Sequence, residues 1–130
     1  MSDPDEKTGH CLCGAIGYAY TGTPRFQVHC HCESCRRATA SPFTSFLGVA
    51  DGQWRWTGEE PKDYISSPGV RRSFCPHCGT QMAYRADKFP GEIHFYAATL
   101  THPEDFTPTA HVHRDVALSW AGITDIQPRT

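Results

Sequence analysis

Apolar and polar residues alternate in short runs along this chain, and most runs are closed off by glycine, proline or an acidic residue. Residues 15–20 place Ile16, Tyr18 and Tyr20 on one face of an extended segment, the period of two that a half-buried strand requires. Residues 26–30 follow a Gly22-Thr23-Pro24 turn, and residues 44–49, 54–57, 70–74, 82–84 and 93–97 have the same β-favouring character. Asp51-Gly52 stands between two of these runs and predicts a hairpin. Only residues 33–38 predict helix, one or two turns of it. The pattern predicts an all-β chain. Residues 1–8 are polar and predict a loose tail, and residues 9–130 a single domain with no repeat or linker.

Composition sharpens this picture. With 38% apolar residues, ten prolines and eleven glycines in 130 residues, the chain is rich in turns and modest in core-forming side chains. Metal clips would add to the stability that core burial gives such a chain. The net charge is −2, and apart from Arg36-Arg37 and Arg71-Arg72 the basic residues are scattered, so no basic stripe suits a phosphate backbone and no nucleic-acid partner is expected. No run approaches the roughly 20 apolar residues that span a bilayer, so no membrane association is expected, and no secretory leader is expected either. A cytoplasmic location follows, in which cysteines stay reduced.

Seven cysteines then become the most informative residues. They form three clusters: Cys11-Leu12-Cys13, Cys30-His31-Cys32-Glu33-Ser34-Cys35 and Cys75-Pro76-His77-Cys78. Thiolates one to two residues apart are spaced to wrap one tetrahedral ion, and in a reducing compartment this spacing points to metal before disulfides. Cys75-Pro76-His77-Cys78-Gly79 predicts a zinc knuckle, with Gly79 free to adopt positive φ and let backbone N–H groups approach the sulfurs. Cys11-Leu12-Cys13-Gly14 is a shorter jaw with the same trailing glycine, and the two together make a four-thiolate site. Cys30, Cys32 and Cys35 are close enough to share a second ion. A closed structural zinc takes four protein ligands, whereas a catalytic one keeps a position open, so four plus three predicts one site of each kind. Two alternatives stand beside this partition. Cys32-x-x-Cys35 with Cys75-x-x-Cys78 would form a zinc ribbon, and a histidine among His29, His31, His77, His111 and His113 would close the second site. Of His111 and His113, at most one is expected to face the metal. Arg36 and Arg37 are placed to balance a three-thiolate site or hold a substrate carboxylate. Ser41, Thr44 and Ser45 are candidates to line a pocket, while Trp54 and Trp56 are expected to pack.

The ordered motifs Gly9, Cys11, Cys13, Gly14, then Cys30, His31, Cys32, Cys35, Arg36, then Phe74, Cys75, Cys78, Gly79 resemble the glutathione-dependent formaldehyde-activating enzyme family, which also includes centromere protein V. Weaker matches at Ala98-Thr99-Leu100, residues 108–111 and Trp120 extend the resemblance to nearly the whole chain. It implies a β-tent of small antiparallel sheets stapled by two zinc ions. Cys11, Cys13, Cys75 and Cys78 would hold the structural ion, and Cys30, Cys32 and Cys35 the catalytic one. It also implies a carbon–sulfur lyase, the family's named activity being the joining of formaldehyde to glutathione. Family membership does not fix the substrate, since sites change on a conserved fold. The leading expectation is therefore an enzyme acting on a thiol adduct of an aldehyde, with glutathione the first thiol to consider and Arg36 in the catalytic site. Its rival is a non-enzymatic zinc module that binds a protein partner. A cleft at the second site would favour the enzyme, and a protein-closed site without a pocket the module.

Overall fold

The structure, a computed structural model, describes residues 5–122. Ten strands follow in chain order: β1 (Lys7–His10), β2 (Ile16–Tyr20), β3 (Phe26–Cys30), β4 (Thr44–Ala50), β5 (Trp54–Gly58), β6 (Lys62–Ser67), β7 (Val70–Phe74), β8 (Gln81–Ala86), β9 (Glu92–Tyr96) and β10 (Ala110–Val112). One two-turn helix, α1 (Glu33–Thr39), separates β3 from β4, and three 3₁₀ turns lie at Ala97–Thr99, Pro103–Asp105 and Arg114–Val116. The fold is mostly β, with the single helix where the sequence predicts it.

The strands form two sheets. The smaller has the order β1-β2-β5 and the larger β10-β3-β4-β9-β8-β7-β6. Every pair is antiparallel except β10 with β3, which run parallel. Side-chain alternation decides what each face of the larger sheet does. On one face Leu47, Val49, Ala83, Ile93 and Phe95 pack against Ile16, Tyr18 and Tyr20 of the small sheet to make the main core. The Tyr18 and Phe95 rings stack at 3.9 Å, and Trp54 and Trp56 meet Phe95 edge-on at 5.6 and 5.7 Å, a packing role for both tryptophans. The intervening positions, Phe46 on β4, Tyr84 on β8 and Tyr96 on β9, form the other face, where they gather with Cys30 and Cys35 in a second cluster.

Three local expectations change. Asp51-Gly52 does turn the chain, with Gly52 at φ 91° and Gln53 N–H donating to Ala50 O at 3.1 Å, but the strands it joins do not pair. β4 lies between β3 and β9, while β5 pairs with β2, so this turn passes the chain from one sheet to the other. The flanking strands found better partners than each other, which a turn signal alone does not report. The tail expected over residues 1–8 ends sooner, because Lys7 and Thr8 pair with Tyr20 and Ala19. Finally, β6 and β10 escape the hydrophobic pattern because both are edge strands, exposed at every position.

Candidate metal centre

Two groups of sulfurs assemble, each with its Sγ atoms within 4.8 Å of one another: Cys11, Cys13, Cys75 and Cys78, and separately Cys30, Cys32 and Cys35. Cys32 and Cys35 therefore lie with Cys30, not with Cys75 and Cys78. All seven cysteines are free thiols. In the four-sulfur group, Cys13 Sγ is 3.7 Å from both Cys11 Sγ and Cys75 Sγ. Zinc–sulfur bonds of 2.3 Å give a tetrahedron with edges of about 3.8 Å, so the donor set fits such an ion. The turns that present these sulfurs depend on Gly14 at φ 83° and Gly79 at φ 81°, a region that side-chain-bearing residues rarely adopt. Backbone N–H groups of Ile16, His77 and Cys78 point at sulfur, the first to Cys11 at 3.3 Å and the others to Cys75 at 3.4 Å. Thr80 Oγ1 joins the two jaws, accepting from Leu12 N–H at 3.1 Å and lying 3.2 Å from Cys78 Sγ. The Thr80 hydroxyl, followed by the Thr80 backbone, holds the Cys78 thiol down to about 5. Cys11 and Cys75 are buried in the main core between the sheets.

The three-sulfur group is built by a single short segment. Cys30 ends β3, Cys32 caps the N-terminus of α1 by accepting from Cys35 N–H at 3.4 Å, and Cys35 lies one turn into the helix. Cys30 Sγ and Cys35 Sγ are 4.0 Å apart, again near the edge of a tetrahedral site. Hydrogen bonds from Cys30 and Cys35 hold the Cys32 thiol down to about 2, while Cys30, engaged with Cys32 and Cys35 and then buried, is pushed far up. Three sulfurs this close resist ionising together, and a cation among them would let all three do so. Among the described residues no other histidine, cysteine or carboxylate joins this group.

What distinguishes the second group is its setting. Cys30, Cys32 and Cys35 lie in the wall of a cleft of about 1110 Å³, on the face of the larger sheet away from the main core. No sulfur of the four-sulfur group lines it. Against Cys35 sits Arg72 on β7, only 5% exposed, with Nη1 3.9 Å from Cys35 Sγ and donating to Tyr96 Oη at 3.1 Å. Its Nε donates to Ser66 Oγ at 3.2 Å, and its guanidinium lies 5.2 Å from the Tyr84 ring centre. Among the described residues Arg72 has no carboxylate partner within ion-pairing distance. Burial keeps the Tyr96 phenol neutral, pushing it up to about 12.

Other candidates fall in several places. Arg36 does not line the cleft; its Nε donates to His31 O at 3.2 Å and its Nη2 to Val116 O at 3.5 Å. Arg37 does line it, while paired with Glu33 at 2.7 Å. His113 lines the cleft and His111 does not: Val112 is the β10 residue that faces the cleft, and His113 lies just beyond the strand with left-handed backbone at φ 56°. His111 Nδ1 is instead 2.9 Å from His31 Nε2, in a ring cluster that includes His29 and Phe43 on the far side of β3. Ser41, Thr44 and Ser45 stay outside the lining, bonded to Phe43 O, Cys30 O and His29 Nδ1 respectively. Arg72 went unnoticed in the sequence as half of a surface-like Arg71-Arg72 pair. The signal was nonetheless there. Val70, Arg72 and Phe74 share one strand face, which puts this arginine on an apolar side, and all three line the cleft.

With this geometry in place, comparison with known proteins decides the family. The sequence model of the glutathione-dependent formaldehyde-activating enzyme family matches residues 6–115. The chain belongs to this family. Within that setting, a Schizosaccharomyces pombe protein named as an uncharacterized lyase is 38% identical over 88 residues, covering 65% of this chain and 63% of the yeast protein. The match thus spans somewhat less than two thirds of that relative's length. A crystal structure of a Rhodobacter sphaeroides protein superposes with a TM-score of 0.64 at 22% identity, over 80% of this chain and 98% of that one, and shows the same fold.

Proposed function

We propose that this family member is a zinc-dependent carbon–sulfur lyase acting on the adduct of a thiol and an aldehyde. In this reading Cys11, Cys13, Cys75 and Cys78 hold a structural zinc ion, and Cys30, Cys32 and Cys35 hold the catalytic one. The observation that carries the reading is the placement of the three-sulfur group, and not the four-sulfur group, in the wall of the large cleft. Zinc held by three thiolates would supply an open Lewis-acid position able to keep a substrate sulfur ionised.

The chain's own residues supply the rest. Three thiolates around a divalent ion leave one net negative charge in a half-buried site, and Arg72 is the cation beside it. Tyr96 and Ser66 fix the guanidinium in place, so Arg72 acts as a positioning residue that favours the ionised sulfurs. His113, on the cleft wall, is placed for a ring nitrogen to take the thiol proton on binding and return it on release. Arg36 keeps a part in the site through its bonds to His31 O and Val116 O, which tie α1 to the segment that presents His113. Glutathione is the first thiol to test, with formaldehyde as the simplest aldehyde. Cysteines kept for metal need a reducing compartment, for which the cytoplasm is the proposal; no helix among the described residues is long and apolar enough to cross a membrane.

The test has two parts. Protein purified under reducing conditions should carry two zinc ions, and replacing the cleft-side ion with cobalt(II) should make thiol binding visible as a stronger sulfur-to-metal absorption band. The loaded protein should also speed exchange between free thiol and its aldehyde adduct, followed by NMR, and Cys32→Ser should abolish that gain. Protein that carries both ions yet neither binds a thiol nor speeds exchange would leave the partner-binding zinc module as the better reading.

A further inference from the structure

We propose that the cleft selects a substrate whose organic body is aromatic and carries an anionic group, rather than a one-carbon adduct of a zwitterionic peptide thiol. This rests on the thiol-adduct reading above and specifies the part of the substrate remote from sulfur. Size is the first argument. At about 1110 Å³ the cleft is as large as sites that enclose a drug-sized ligand, so it has room for an organic body well beyond the reacting sulfur and carbon.

The wall itself is the second argument. Phe26, Phe46, Tyr84, Phe89 and His94 all line the cleft and form one continuous group of rings. His94 stands at its centre: Phe26 meets it edge-on at 4.7 Å, Tyr84 stacks at 5.4 Å, Phe89 lies at 5.1 Å and Phe46 at 6.1 Å. The His94 Nε2 atom is already engaged by Glu92 at 2.6 Å, and Glu92 is held in turn by Arg25 at 2.9 Å. The imidazole is therefore fixed as one wall of the nest, and a flat ring is the ligand shape these partners accommodate in offset or edge-on contact.

Charge is the third. Arg37, Arg72 and Lys88 line the cleft, and among the described residues no aspartate or glutamate does. Arg37 pairs with Glu33, and Arg72 is held against Cys35 and Tyr96. Lys88 has no ion pair among the described residues, and its Nζ lies 5.2 Å from the centre of the Phe89 ring, at the aromatic end. A carboxylate there meets a complementary cation, whereas an ammonium finds no acidic side chain among the described residues of the wall.

The experiment uses the full chain with cobalt(II) at the cleft-side site, titrated with four thiols and read by absorption and calorimetry. 2-Mercapto-3-phenylpropanoate should bind about tenfold or more tightly than mercaptoacetate, the gain expected from burying a phenyl ring, and also more tightly than glutathione. 2-Aminoethanethiol should bind weakest. Phe89→Ala, at a residue 39% exposed and outside the main core, should shrink the ratio of phenyl thiol to mercaptoacetate to about threefold or less. Lys88→Glu should weaken both anionic thiols several-fold and favour 2-aminoethanethiol. Equal affinity for phenyl and small anionic thiols, a preference for glutathione, or a phenyl advantage unchanged in both Phe89→Ala and Phe26→Ala would overturn the inference. A thiol-free pair separates it from the reading beneath it. If no thiol alters the spectrum but 3-phenylpropanoate binds and 2-phenylethylamine does not, the lyase reading falls and the aromatic-anion cleft stands. If neither member of that pair binds and the thiols are silent too, both fall.

Discussion

The two sulfur clusters are made of the same chemistry and placed to opposite ends. Cys13 and Cys75 meet across 62 residues of chain, so the four-sulfur group joins the turn after β1 of the small sheet to the turn after β7 of the large one. Its buried members belong to the core between the sheets. Cys30, Cys32 and Cys35 come from one segment of six residues and close no long loop. An ion in the first cluster restrains a large part of the unfolded chain and contributes folding free energy. An ion in the second restrains little, and its sulfurs face a cleft. On the proposed reading, spacing along the chain would separate a fastening from a reactive centre.

The sharpest way to break this comparison is to remove one ligand from each cluster. Cys75→Ser should leave the chain largely unfolded, since structural zinc in small domains is worth up to about 10–16 kcal/mol and a buried sulfur at the centre of the core goes with it. Cys32→Ser should give a folded protein short of one ion. Circular dichroism with elemental analysis checks both. A folded Cys75→Ser protein alongside an unfolded Cys32→Ser protein would invert the assignment of roles.

Removing metal from the intact protein should show the same order with a smaller effect. A chelator should strip the cleft-side ion first and leave near-native far-ultraviolet circular dichroism. Loss of the second ion should then coincide with unfolding. Acidification should follow the same sequence, because protons compete with the ion for thiolate sulfur and the three-donor site has less to hold it. A single concerted loss of both ions with the fold would mean the clusters are not independent.

How much of this was legible without coordinates differs between strands and site. Runs with a clear period of two, such as Ile16, Tyr18 and Tyr20, are strands in the structure because one face had to be buried. Edge strands such as β6 bury nothing and leave no such trace. Asp51-Gly52 shows another limit, since a turn signal specifies a reversal of direction and not the partner of the strand that follows. Within the site, cysteine spacing anticipated the three-sulfur group, which one six-residue segment supplies, but left open whether Cys75 and Cys78 would join Cys11 and Cys13 or Cys32 and Cys35, because that pairing crosses 62 residues of chain. Arg72, 37 residues beyond Cys35, comes beside it only through β7 of the large sheet. The histidines divide similarly: residues 111 and 113 would share a face of a continuous strand, and only the end of β10 at Val112, with His113 in left-handed backbone at φ 56°, sends them to different sides.

Arg72 gives a third test, of intermediate size, and it sharpens the electrostatic side of the comparison. Arg72→Met should weaken the cleft-side ion by about tenfold or more in chelator competition, roughly 1.4 kcal/mol, and shift the cobalt(II) charge-transfer band. Arg72→Lys, which keeps the charge without the fork, should recover part of the affinity. With Cys30, Cys32 and Cys35 all replaced by serine, the same Arg72→Met change should be neutral or stabilising, because a buried cation then lacks its counter-charge. An equal destabilisation with and without the sulfurs would make Arg72 a packing residue only.

The smallest expected effect concerns Thr80, which belongs to the fastening and not to the cleft. Its hydroxyl accepts the Leu12 N–H from one jaw and bonds Cys78 Sγ of the other, so one side chain braces both turns. Thr80→Val keeps the β-branched shape and removes the two polar contacts. One or two hydrogen bonds of this kind are worth about 1–2 kcal/mol in net stability, well below the loss of a ligand. Urea denaturation of the zinc-loaded protein should show that decrease. Chelator competition at the cleft-side ion and thiol binding to its cobalt(II) form should stay unchanged, since Thr80 touches neither. A Thr80→Val protein with altered thiol affinity at unchanged stability would mean that strain in the four-sulfur cluster reaches the cleft, and the separation between fastening and reactive centre would have to be abandoned.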